Sequence, residues 1–251
     1  PMFYQDLMPL NTRDHMKFRN RLRDSAPWLA KQHVVPLTAD EFVQAARHYP
    51  IIFSAGENPL PLALFGLNEG VNTFFDADGK MIDPIYVPAY IRRYPFLLAK
   101  LSSENEDLSL CFDPTADSVG EFDEGEPFFN EDGSTTDQTK AILDFCEKFE
   151  QAGARTKVLT DELQKHDLLM DGEVGIQRGD APDQPYLYRG FRMIDQEKLR
   201  NLDAEVLAKW NKDGMLPIIY AHIASMELMR TIFGRQDQQG TVPPLPEQPA
   251  A

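Results

Sequence analysis

A chain of 251 residues with 42% hydrophobic and 26% charged side chains has the composition of a globular protein and excludes disorder along its whole length. With 40 acidic against 25 basic residues, its formal net charge of -15 repels phosphate backbones and anionic lipid headgroups, so neither nucleic acid nor a membrane surface is an expected partner. Cys111 and Cys146 are too few for a disulfide framework, no run of about 18 apolar residues predicts membrane insertion, and the early charges Asp14, Arg19 and Arg21 interrupt any signal-peptide core, which together predict a cytoplasmic protein.

In chain order, the basic stretch over residues 12–23 is expected to form a surface helix. Thr38 and Glu41 have the spacing of a capping box, and Phe42, Val43, Ala46 and Tyr49 follow at helical intervals, which predicts a helix over 39–48 stopped by Pro50. Short apolar runs at 51–53, 62–67, 72–75, 85–87 and 108–112, separated by Gly, Pro and Asn, read as strands. Asp76-Ala77-Asp78-Gly79 supplies turn chemistry, and Phe74-Phe75-Asp76-Ala77-Asp78-Gly79 is echoed by Phe128-Phe129-Asn130-Glu131-Asp132-Gly133, which predicts two similar hairpin turns. The acid-rich stretch 104–132 reads as a solvated loop. Helical periodicity returns over 136–151 and 160–168, a strand is expected over 186–194, Asp195 caps a helix, and a last one over 204–210 is closed by Asp213-Gly214. The pattern predicts an α+β fold, a mainly antiparallel sheet from the first half packed with helices of the second as one compact unit over 1–234, followed by a disordered Pro/Gln-rich tail over 235–251.

Motifs for chemistry are scarce. Asp76 and Asp78 sit at alternate positions as calcium ligands do, but Gly79 comes too early for a calcium loop, so a turn is the better reading. The five histidines form no i, i+4 pair, no nucleophile elbow occurs, and no glycine-rich phosphate loop is present, so no metal, no cofactor and no catalytic residue is assigned. Tyr86-Val87-Pro88-Ala89-Tyr90-Ile91-Arg92-Arg93-Tyr94-Pro95-Phe96 is different: it sets two guanidinium groups among aromatic rings between prolines. Arginine forks take carboxylates bidentately and stack on rings, so Tyr90, Arg92, Arg93, Tyr94 and Phe96 are candidate ligand-binding residues for a small acid or a peptide. The competing reading pairs the arginines with the chain's own acidic loop. In an extended segment Arg92 and Arg93 would point to opposite faces. His222, beside Tyr220 in an apolar stretch, reads either as a buried structural histidine or as part of the same pocket wall, and a pocket joining His222, Tyr220 and the arginines is what an enzyme of unrecognised class would need.

The segment from Tyr86 to Phe96, with Phe65-Gly66-Leu67, Asn72-Thr73-Phe74-Phe75, Asp78-Gly79 and the late Ile219-Tyr220-Ala221-His222-Ile223-Ala224-Ser225, resembles the bacterial SapC family over about residues 3–230, with Arg92-Arg93-Tyr94-Pro95-Phe96 as the most specific part. The resemblance implies a genetic setting beside TonB-dependent receptors, flavin-dependent halogenases and cupin-like proteins; with the arginine segment, the expected function is a cytoplasmic accessory protein that binds a small acidic ligand, a peptide or a partner protein in a nutrient-uptake or tailoring pathway. The family name derives from a proposed link to bacterial surface layers, which makes a surface-layer-associated protein a further alternative. No catalytic residue comes with the resemblance.

Overall fold

Two apolar clusters organise the chain, and a computed structural model describes them over residues 2–245. The larger is built on a five-stranded antiparallel sheet in the order Leu169–Ile176, Tyr186–Ile194, Ile51–Ser54, Pro61–Leu64, Val34–Pro36. Ile51, Ile52 and Phe53 are all buried because their strand is central and covered on both faces, which is why it reads as an unbroken apolar run and not as an alternating one. Helices Met215–Ser225 and Met229–Gln239 pack against this sheet.

The smaller cluster gathers Phe96, Leu110, Phe112, Val119, Phe128, Phe129 and Cys146. Two three-stranded antiparallel sheets serve it: Met8–Pro9, Leu108–Phe112 and Phe96–Lys100 form one, and Val119–Gly120, Arg19–Asn20 and Glu126–Pro127 the other. Helix Asp137–Lys165 joins the two clusters, because its 29 residues at 1.5 Å each span about 43 Å. Cys146 enters the small cluster near one end, and Leu159 and Leu163 enter the large one near the other. Thr136 caps its first turn by accepting from the Thr139 amide.

The architecture is α+β, as the pattern predicts, with differences of detail. The five-stranded sheet takes two strands from the second half of the chain, so the sheet is not confined to the first. The basic stretch forms a helix only over Thr12–His15 and then turns into strand Arg19–Asn20, whose partners are remote in sequence. Residues 72–75 and 85–87 lie outside regular strands, and the two helices expected over 136–151 and 160–168 are one.

The two echoed turns match closely. The Asp76 amide donates to the Lys80 carbonyl at 2.8 Å and the Gly79 amide to Asp76 at 2.9 Å, while the Asn130 amide donates to Ser134 at 2.8 Å and the Gly133 amide to Asn130 at 2.9 Å. Both glycines take positive φ, and Gly79 is constrained further: a Cβ there would lie 2.2 Å from the Ala26 carbonyl, whose own amide donates to the Gly79 carbonyl at 2.8 Å.

The expected tail boundary is wrong over its first residues. Helix Met229–Gln239 runs through it to a left-handed Gly240 cap, and Gln236 is buried, accepting from the Leu67 amide at 2.7 Å and donating to Asn68 at 2.8 Å. Proline density was the tail signal, but Pro243 is the first proline after the helix, so residues 235–239 escape it. Residues 246–251 of that expectation lie outside the described residues. Among the described residues no helix is long and apolar enough to cross a membrane.

Candidate functional site

The arginine pair stands on a short helix, Ala89–Arg93, and not on the extended segment that its prolines suggested. The reason is remote. The capping-box carboxylate Glu41 is buried, and its Oε2 accepts from the Thr38 amide and hydroxyl, each at 2.9 Å. Its Oε1 accepts from the Tyr86 hydroxyl at 2.7 Å and from the Ala89 amide at 2.6 Å, so one acid caps its own helix and the first turn of another. Sequence spacing identified Glu41 as a cap for its own helix and carried no sign of this second role.

Successive residues on a helix are about 100° apart, so the two arginines diverge. Arg92 is 46% exposed; its Nε donates to the Val87 carbonyl at 3.0 Å, and its Nη2 donates to the Tyr86 hydroxyl at 3.1 Å and lies 4.0 Å from Glu41. Arg93 is only 7% exposed. Its guanidinium carbon lies 4.2 Å from the ring centre of Phe149, 5.0 Å from that of Tyr90 and 5.8 Å from that of Tyr4. The nearest acid is Glu150, half-exposed, at 3.8 Å from Nη1, which is too long for a hydrogen bond. Its buried Nε has no hydrogen-bond partner among the described residues.

Both arginines line a cleft of about 1080 Å³ between the small cluster, the helix Asp137–Lys165 and the strip around residues 20–28. Four arginines line it, Arg21, Arg23, Arg92 and Arg93, against two carboxylates, Asp24 and Asp117. The acidic stretch serves the outer arginines: Arg23 meets Asp117 at 2.6 Å and Arg21 meets Glu124 at 3.5 Å while stacking 3.7 Å over Phe122. Self-pairing with that loop therefore describes Arg21 and Arg23, not Arg92 and Arg93.

Of the other candidates, Tyr94 and Phe96 line the cleft, whereas Tyr90 stands behind Arg93 with its hydroxyl donating to the Met2 carbonyl at 3.2 Å. The Tyr94 hydroxyl donates to Asp113 at 3.0 Å, and burial together with that carboxylate pushes its pKa up to about 12. Burial alone would raise Asp113, but hydrogen bonds from Thr115, the Gln5 amide and Tyr94 outweigh it and hold the carboxyl below its ordinary value. Cys146 also lines the cleft, and burial pushes its thiol up to about 11, which keeps it protonated and unreactive at neutral pH.

His222 and Tyr220 lie elsewhere. His222 is buried between elements, with Nδ1 2.6 Å from the Ile51 carbonyl and Nε2 accepting from the Ile194 amide at 3.2 Å, which sets the Nδ1–H tautomer. Burial lowers its pKa to about 4, so at neutral pH it is an uncharged strut with both nitrogens committed. It borders a separate cavity of about 360 Å³ with Met170, Met193, Met226 and Met229, and Tyr220 is exposed on neither cavity wall. The common pocket of Arg92, Arg93, Tyr220 and His222 does not form, because Ser225 and His222 tie their helix to the central strand through the Ile51 backbone, while the arginines line a different cavity. Asp76 of the candidate calcium loop accepts from the Asp78 and Lys80 amides, and no three His, Cys, Asp or Glu side chains group to hold a metal among the described residues.

A family model described as SapC matches residues 10–232, which include both apolar clusters and every cleft-lining residue except Gln5. No curated protein and no solved structure matches the chain.

Proposed function

This chain belongs to the SapC family, and we propose that its arginine cleft binds a small ligand through a carboxylate seated on Arg93. The observation that carries this reading is the state of Arg93: a buried guanidinium, held by aromatic rings, with an orphaned Nε and no hydrogen-bonded acid among the described residues. Native proteins leave few buried donors unpaired, and a carboxylate from outside would complete the fork that Glu150 approaches but does not close. Charge supports the same reading, since the cleft lining carries four arginines against two carboxylates in a protein of net charge -15, and Arg92 and Arg93 are the pair left unmatched by the acidic stretch. A small ligand is favoured over a partner protein because Arg93, a cleft-lining residue, is only 7% exposed and within reach of a slender group only. An accessory role in the cytoplasm of a bacterium, beside TonB-dependent uptake, belongs to the same proposal and rests on the family resemblance.

The test is titration of acetate and inorganic phosphate followed by NMR, with Arg93→Lys and Arg93→Met as variants. Acetate should bind, weaken at least about tenfold with Lys because an ammonium cannot reproduce the fork, and be lost with Met while the fold survives. Unchanged binding in both variants, or no carboxylate binding by the unaltered protein, overturns the reading.

A further inference from the structure

We infer, on the basis of the reading that Arg93 seats a carboxylate, that the ligand carries this carboxylate on a fused aromatic body, as an aryl-alkanoic acid does. The cleft is chemically divided. One end holds Arg92 and Arg93; elsewhere the wall carries Arg21, Arg23, Asp24 and Asp117, with Arg21 and Arg23 already paired to acids of the chain, beside an apolar stretch of Trp28, Phe75, Met81 and Ile91. Trp28 is half-buried and Met81 is 41% exposed, so both present apolar surface to whatever fills the space. The two ends are continuous, because the Trp28 ring lies 4.5 Å from that of Tyr94, the residue that follows Arg93.

Size points the same way. Acetate or phosphate fills a small corner of a cleft of about 1080 Å³, whereas ligand cavities of this size take molecules of many heavy atoms. The shelf is also held in place before any ligand arrives. Phe3 packs against Trp28 at 4.4 Å, and the Gly79 turn bonds the Ala26 amide in a contact so close that no Cβ fits. A wall fixed in this way gains affinity from apolar contact without an ordering cost. Its aromatic content, with Trp28, Phe75, Tyr94, Phe96 and Phe145 among the lining residues, favours a flat ring that stacks over a flexible alkyl chain.

The experiment compares acetate, 2-naphthylacetate and decanoate by calorimetry on the full chain, with intrinsic fluorescence as a second readout. Trp28 is one of two tryptophans, and the other, Trp210, is fully buried in the large cluster. The inference expects 2-naphthylacetate to bind at least about tenfold more tightly than acetate and to quench fluorescence. Trp28→Ala should remove that advantage and leave acetate binding unchanged. Met81→Glu, at an exposed position that does not threaten the fold, should weaken 2-naphthylacetate alone. Equal affinities for acetate and 2-naphthylacetate, both lost in Arg93→Met, would overturn the aromatic body and leave the carboxylate seat standing. Tight 2-naphthylacetate binding that ignores Arg93→Met would overturn the seat itself, and decanoate binding more tightly than 2-naphthylacetate would replace the ring by an alkyl chain.

Discussion

At His222 each ring nitrogen of a buried ionisable side chain meets a backbone partner, and the residue joins two strands to a helix. At Arg93, equally withdrawn from solvent, the guanidinium rests on aromatic faces with one nitrogen unpartnered and its nearest acid at 3.8 Å. Burial is common to both, and satisfaction separates them. A satisfied buried polar group stabilises the fold it is part of; an unsatisfied one is tolerated at a cost that a ligand can offset.

The contrast can be broken most forcefully at His222. Replacing it by Ala strips the Ile51 carbonyl and the Ile194 amide of partners and opens a cavity, and should lower stability by roughly 3–5 kcal/mol in chemical denaturation. A loss of under about 1 kcal/mol would show that the histidine is no strut.

Acid should reveal the same group. The folded pKa of His222 is lowered to about 4 from 6.5, so between these values the unfolded chain takes up the proton that the folded one refuses. Stability is therefore complete above pH 6.5 and falls as pH drops towards 4, by about 3 kcal/mol from this residue. His15 and His33 are lowered as well, so the measurement is the difference between the stability profiles of the unaltered protein and His222→Ala.

Glu41 belongs with His222, since its carboxylate accepts four hydrogen bonds and anchors two helix starts. Glu41→Ala should cost about 3 kcal/mol and, by releasing the Ala89 amide, should also disturb the cleft, visible as a change in Tyr94 and Phe96 NMR shifts. Gln236→Ala, which unpairs the Leu67 amide, should cost about 2 kcal/mol.

The smallest effect is expected at Arg93. Glu150 is half-exposed and regains water when its partner goes, while Met keeps the apolar stem against Phe149, so Arg93→Met should change stability by under about 1 kcal/mol, or raise it. A loss of about 3 kcal/mol or more would class Arg93 with His222 as a structural group and withdraw the ligand it is proposed to seat.

Local chemistry was legible where one short stretch of chain decides the outcome. The Thr38–Glu41 capping box, the Asp195 cap, the central strand at Ile51 and the paired turns at Gly79 and Gly133 all follow from neighbours within a few residues. The strand at Arg19 was misread as helix because its two partners, Val119–Gly120 and Glu126–Pro127, lie about a hundred residues away and its own residues carry no alternation. Spacing marks Arg92 and Arg93 as two guanidinium groups among aromatic rings, but of the two readings of His222 the structure gives the buried, backbone-bonded one, and the extended segment and the shared pocket wall do not form, for the same reason.

By itself, then, the sequence determined the α+β class, the turns, the caps and which segment concentrates arginine among aromatic rings, since each depends on periodicity, side-chain type or spacing within a few residues. Only the tertiary structure decided that Ala89–Arg93 coils into a helix, because the acid that satisfies its first turn is Glu41. The same is true of the difference between the two arginines: Phe149 and Glu150 arrive on a helix that begins more than forty residues later, and their approach leaves Arg93 buried and incompletely paired. Spacing records what neighbours do to one another along the chain, whereas the partners of a buried charge are chosen by packing between segments that the chain order keeps apart.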